Sequence, residues 1–448
     1  MMILFSLMLL ATEPPVPPEV PWPPVPDFIT KVDYIAWYRE QLGFALADNA
    51  YEDYRLFAEG GMLPDLPDEL QRNMSSHLLF PRRWHTGQEP QLAEWLGSQS
   101  LALQAFKSGS KRRYYAHGLI GSPKRLLDIQ LPGALIGRLL GEATLVESWR
   151  LDIGLTLQDW LDRLILVHRF ANQLTQGATL IEQLTAMSLK NRVYIQIAFM
   201  MKHAVLDDGQ LRQLLQVLQQ DDSRPANEWL LRALPAEEAM AFELLQTQCL
   251  DAEGRIHDRL STGPEAVQLW EFMAAQAAVT LPDTALESAD PRALAASIHE
   301  YMAAAQACIR QGVGREQQDL LAKLRQDYAG RSPLVGLLIP SLERAASTAL
   351  RTELTRRGTQ VLVALSIRRR ENHSWPESLD AAAGLVPEAM LIDPCSGQPL
   401  VYRKTGSRVQ LYSVGRDGRD DGGHQEGMRY GGLDGEDLQI YPPVVKSR

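Results

Sequence analysis

Three cysteines in 448 residues, Cys249, Cys308 and Cys395, lie far apart and form no C-x-x-C pair. That excludes a paired-thiol metal or redox motif, and an odd number does not make a disulfide framework. One bridge with a spare thiol stays open, so cysteine usage does not fix the compartment. Basic charge is also short, with 45 Lys and Arg against 55 Asp and Glu and a net charge of −10. Nucleic acid and anionic membrane surfaces are therefore poor partners for the whole chain. The clusters Lys111, Arg112, Arg113 and Arg368, Arg369, Arg370 are short and lack interleaved aromatics, and they read as solvated helix faces or turns.

Long apolar runs are lacking too. The first eleven residues, MMILFSLMLLA, are too few to span a bilayer as a helix and carry no basic n-region. They read as an incomplete export signal, with a plain hydrophobic terminus as the alternative. The expected location is accordingly secreted or periplasmic, or else cytoplasmic.

Catalytic signatures are missing as well. HEYMA at His299 has Ala303 where a second zinc ligand belongs, and GVGREQ has Gln317 in place of the third glycine of a dinucleotide fingerprint. Neither a Walker A loop nor Gly-x-Ser-x-Gly occurs. His168 sits on an apolar helical stripe and reads as a packed core residue, His424 reads as solvent-exposed, and the tryptophans read as core. The chain is expected to be a non-enzyme, the alternative being a cryptic hydrolase whose site is assembled from unrelated positions in a helical body.

What is present begins with proline. Residues 14 to 26 hold eight prolines, which excludes helix or central strand and predicts an extended polyproline tether of roughly 40 Å. A proline-rich docking motif shares that composition. The tether and the apolar run together make up residues 1 to 27.

From residue 28 to 330 the pattern is helical. Leu157, Trp160, Leu161, Leu164, His168, Ala171 and Leu174 recur at spacings of three and four, as do Leu180, Leu184, Met187, Tyr194, Ile197 and Met201. Short breaks such as TQGAT and LDDGQ predict antiparallel neighbours. The fold class expected is mainly α, an array or bundle of TPR-like hairpins without that repeat's consensus, followed by a small C-terminal α+β module. A concave face of such an array would bind a protein partner; a compact bundle would serve as a spacer.

Residues 341 to 448 differ in character. Leu342, Ala346, Leu350, Leu354, Val361 and Leu365 predict one long helix to about residue 370, with Gly358 a mild interruption costing roughly 1 kcal/mol. LVYRK and RVQLYSV read as two strands joined at Gly406. LYSVGRDGRDDGG then opens an acidic, glycine-rich loop. Seven acids, Asp417, Asp420, Asp421, Glu426, Asp434, Glu436 and Asp437, face three arginines between residues 416 and 437. Such acids repel unless a cation or solvent relieves them, and calcium takes six to eight oxygen ligands in a flexible shell. A solvated acidic tail is the plain alternative. An EF-hand starting at Asp417 fails, because Arg419 and Met428 stand where acids are required.

The order of long helix, ENHSWPESL, DPCSGQPLVY, LYSVGRDG and closing GEDLQI resembles the C-terminal globular domain of type II secretion major pseudopilins, over roughly residues 341 to 442. The resemblance implies a helix, an Asp-Pro turn, a small antiparallel sheet and one calcium site. By match to the family's motif, Asp417 falls on the acidic ligand of a Gly-x-Asp-Gly turn and Asp437 on the first acid of the closing segment. Where the family often has a second acid, this chain has Gln439; Asp421 or Asp434 would substitute. The implied metal set is Asp417, Asp421, Asp434 and Asp437. Because the helix follows some 340 residues, filament incorporation by the family's usual route is not expected, and an architectural envelope protein is a further alternative.

Overall fold

The computed structural model describes residues 19–42, 48–58, 66–115, 125–129, 131–221, 224–251, 253–277, 279–282, 284–423 and 437–443. The apolar run at residues 1–11 and the first prolines lie outside the described residues. The helices, in chain order, are α1 (Tyr34–Leu42), α2 (Tyr51–Ala58), α3 (Asp68–Leu79), α4 (Pro90–Ser98), α5 (Ser100–Gly109), α6 (Pro132–Glu147), α7 (Leu157–Leu174) and α8 (Leu180–His203). They continue with α9 (Asp208–Asp221), α10 (Ala226–Gln248), α11 (Pro264–Ala277), α12 (Pro291–Arg310), α13 (Arg315–Arg331), α14 (Pro333–Leu338) and α15 (Leu342–Asn372). Three strands, β1 (Val401–Thr405), β2 (Arg408–Ser413) and β3 (Leu438–Tyr441), form one antiparallel sheet in the order β1-β2-β3. The chain is thus mainly α-helical with a small C-terminal antiparallel module.

Local chemistry starts the central helices. Thr156 and Thr179 cap α7 and α8 with reciprocal bonds to Asp159 and Glu182, so each first turn has its orphan N–H groups satisfied. The stripe on α7 is buried from Trp160 to Leu174, His168 included, with Leu157 partly exposed at the helix start. On α8 the pattern understates the burial, since Gln183, Lys190 and Gln196 are also enclosed. Lys190 lies with its ammonium 5.1 Å from the centre of the Trp229 ring, an arrangement that favours the charge inside the protein.

Two cores result. One gathers most apolar residues of α2 through α9, the second half of α15 and most of the sheet; the other gathers α1, α10 through α14, the first half of α15, Met187 of α8 and Leu438 of β3. With 31 residues, α15 is about 46 Å long. Leu342 to Leu354 serve the second core and Val361 to Ile367 the first. The packing therefore runs across the division near residues 330 to 341 read from the sequence. Pro333 occupies the first turn of α14, and the carbonyl of Pro340 accepts the Tyr301 hydroxyl at 2.9 Å. These prolines shape a packed corner.

Residues 20 to 26 are packed along one side. Val20 and Trp22 lie against the second core, and Pro23 and Pro26 are buried. The described half of the proline-rich segment is a strap on the body.

Among the described residues no helix is long and apolar enough to cross a membrane.

Candidate functional site at the acidic loop

β1 and β2 form a hairpin in register from Val401 opposite Tyr412 to Thr405 opposite Arg408. The register leaves two residues at the tip, where Gly406 takes φ +60°. β3 returns against β2 with an irregularity at Leu411 and Tyr412. The acidic loop therefore leaves the sheet after Ser413 and rejoins it at Leu438. The sheet sits on α15 at Gly358, where a Cβ would fall 2.1 Å from Ile440 Cδ1. What the sequence presents as a mild helix defect is the gap into which β3 packs.

Asp393, in the Asp-Pro turn, is fully buried and anchors the start of the loop. Its Oδ1 accepts the N–H of Cys395 at 2.9 Å and its Oδ2 that of Val414 at 3.1 Å. Burial raises its pKa, while these bonds and the Ser413 hydroxyl act in the opposite sense.

Asp437 marks the loop's other end. Its side chain is enclosed, and its Oδ2 accepts the N–H of Gly423 at 2.7 Å. Gly422 and Gly423 take φ +80° and +79°, a left-handed turn that presents this N–H. Asp437 Oδ1 is buried with no hydrogen-bond partner among the described residues. Burial pushes the pKa of Asp437 up, the backbone N–H groups of Gly423 and Asp421 act in the opposite sense, and the charges of Asp420 and Asp421 add a smaller upward push. A half-satisfied buried carboxylate beside two other carboxylates is a group that a hard cation would relieve.

The four residues read as ligands fare differently. Asp437 is buried and Asp421 is exposed beside it. Asp417 Oδ1 is taken up by the N–H of Arg419 at 3.0 Å, a local turn. Asp434 lies outside the described residues, as do Glu426, Glu436 and His424. Among the described residues no group of three His, Cys, Asp or Glu side chains is close enough to hold a metal ion.

Sequence reasoning did not select Asp393, Tyr412 or Asp420. Asp420 accepts from the Tyr412 hydroxyl at 2.9 Å and the Gly422 N–H at 3.0 Å, and pairs with Arg403 at 2.6 Å. Its pKa is lowered, first by the Gly422 N–H. This acid is neutralised by the sheet. The alternation of Arg403 and Tyr412 on paired strands was the signal available. Arg416 reaches Asp319 on α13 at 2.7 Å and ties the loop to the helical body.

Three histidine–carboxylate pairs lie among the described residues of the body, the most exposed joining His257 Nε2 to Asp251 Oδ2 at 3.0 Å. His77 Nε2 is 2.8 Å from Glu89 Oε1 and His299 Nδ1 is 2.9 Å from Glu238 Oε1. None of the three imidazoles bonds to a hydroxyl or thiol side chain among the described residues.

No family model matches the chain, and no curated protein or solved structure matches it.

Proposed function

We propose that the chain is a non-catalytic helical scaffold carrying a calcium-stabilised C-terminal module similar to the globular domain of the major pseudopilins. The observation that carries the reading is the buried Asp437, whose Oδ1 has no protein partner among the described residues at the point where the two ends of the acidic loop meet. Further support comes from the order of the parts: long helix, Asp-Pro turn, antiparallel sheet, and an acidic loop inserted before the last strand.

In this reading Asp437 and Asp421 supply carboxylate oxygens from the described residues, with Asp434 from the remainder of the loop. The ion would offset the mutual repulsion of the acids and hold the loop ends together. One enclosed carboxylate beside exposed ones suits a weak site, of the roughly 10⁻⁴ to 10⁻³ M class found in extracellular modules. That affinity fits a secreted or periplasmic setting, where calcium is plentiful. The helical body supplies the surface for a protein partner.

The test is thermal unfolding of the full chain with calcium and with chelator, since an ion bound only by the folded form stabilises it by mass action. The rise expected in wild type should vanish in Asp437→Asn.

A further inference from the structure

The strap that precedes α1 is held by two facing helical stripes. On α10, Glu238, Phe242 and Gln246 recur every four residues; on α12, Arg292 and His299 are seven apart, so each set lies on one face. The Trp22 ring stands edge-on to His299 at 6.1 Å, and His299 is bonded in turn to Glu238. Arg292 Nε donates to the carbonyl of Asp27 at 3.0 Å. The Gln246 side chain brackets Val32, accepting its N–H at 2.8 Å and donating to its carbonyl at 2.9 Å. The Tyr34 hydroxyl donates to the carbonyl of Pro24 at 3.0 Å. An extended chain stiffened by proline loses little entropy on entering such a groove.

Between the arm, Val20 to Pro26, and α1 lies a hinge with two features. Asp27 Oδ1 accepts the N–H groups of Ile29 and Thr30 at 2.8 and 2.9 Å, folding the chain back. Phe28, a bulky buried residue, is held at φ +57°, a conformation that costs energy outside glycine. Around the hinge, Val25 is 45% and Ile29 72% exposed. Two apolar side chains are thus left uncovered where the arm joins the body.

We propose that the arm is exchangeable and that the α10–α12 groove accepts the Trp-Pro-Pro arm of a second copy of this chain, giving an arm-swapped dimer. Every contact made by the arm in one chain is available between two, so the exchange loses none of them. It opens the hinge, releases the backbone of Phe28 and brings a second body over Val25 and Ile29. The folded-back turn at Asp27 opposes exchange by keeping the arm at a high local concentration near its own groove.

Two substitutions pull in opposite directions. Trp22→Ala removes the anchor and leaves a monomer; Asp27→Ala frees the hinge in both chains and raises the dimerisation constant roughly 25-fold, about fivefold for each local turn worth about one hydrogen bond. Sedimentation of the full chain over a wide concentration range reads both, with melting curves confirming that each variant is folded. A fluorescent peptide spanning residues 12 to 28 should bind the Trp22→Ala chain, whose groove is free, more tightly than wild type. A wild type that stays monomeric at every concentration overturns the proposal, as does a dimer whose fraction neither substitution moves.

Discussion

The N–H of Gly423 donates to Asp437 Oδ2 at 2.7 Å, and this bond joins the two ends of the acidic loop. Because burial raises the pKa of Asp437 in the folded chain, its ionised form opposes folding when no cation is near. The sign follows: without calcium, acidification toward the folded pKa favours the native state at this group, and with calcium, protons compete with the ion. The calcium-induced rise in melting temperature should therefore shrink as pH falls. In chelator, Asp437→Asn should melt at or above wild type, with no response to calcium; melting curves at several pH values check both.

A second prediction concerns α15 against β3. Gly358 leaves the space that Ile440 fills, so Gly358→Ala should destabilise by about 1–3 kcal/mol through overpacking. Trimming Ile440 to Val in the same chain should recover part of the loss. Denaturant midpoints of the single and double variants give the coupling.

Glu353 sits almost fully buried between Arg356 and Arg357, with Nη2 of the first and Nε of the second each 2.6 Å from Oε1. Burial alone would raise its pKa, but the two guanidinium groups outweigh burial and hold it below the ordinary range. Its contribution is present above the unfolded pKa and is lost as pH falls through the folded one. Arg356→Met should cost about 3 kcal/mol, the lower end for breaking a buried pair, because Arg357 remains. Urea unfolding at neutral pH measures it.

Glu238 behaves oppositely. Burial pushes its pKa up to about 7, with the His299 bond pulling the other way. The native chain holds this proton where the unfolded chain has released it, so stability from this group is full below about pH 4.5 and is lost as pH rises through about 7. Glu238→Gln should remove a pH dependence on the order of 3 kcal/mol across that window. Parallel unfolding curves from pH 5 to 8 for wild type and variant would display the difference, and a wild type with no slope there would contradict it.

Much of the architecture was legible because it rests on short-range rules. The stripe from Leu157 to Leu174 pointed to a helix where α7 lies, and Gly406 between two β-rich runs pointed to the hairpin. The packing of α15 was not legible, since a periodic stripe shows that a helix is buried without showing against what. The boundary read between residues 330 and 341 holds Pro333 and Pro340, which lie in a packed corner, because proline marks a helix start and a chain break alike. At the acidic loop, composition pointed to the stretch, yet it could not separate Asp437, enclosed by β3 and the Gly423 turn, from Asp420, which Arg403 and Tyr412 neutralise. That distinction depends on strand pairing between residues distant in sequence.

Since α15 serves both cores, the full chain is the right object for the decisive experiment. Scanning calorimetry in millimolar calcium, in millimolar magnesium and in chelator tests whether the acidic loop closes on a calcium ion. A higher melting temperature is expected with calcium alone, and a transition that returns to the chelator value in Asp437→Asn. Identical transitions in all three buffers would contradict it.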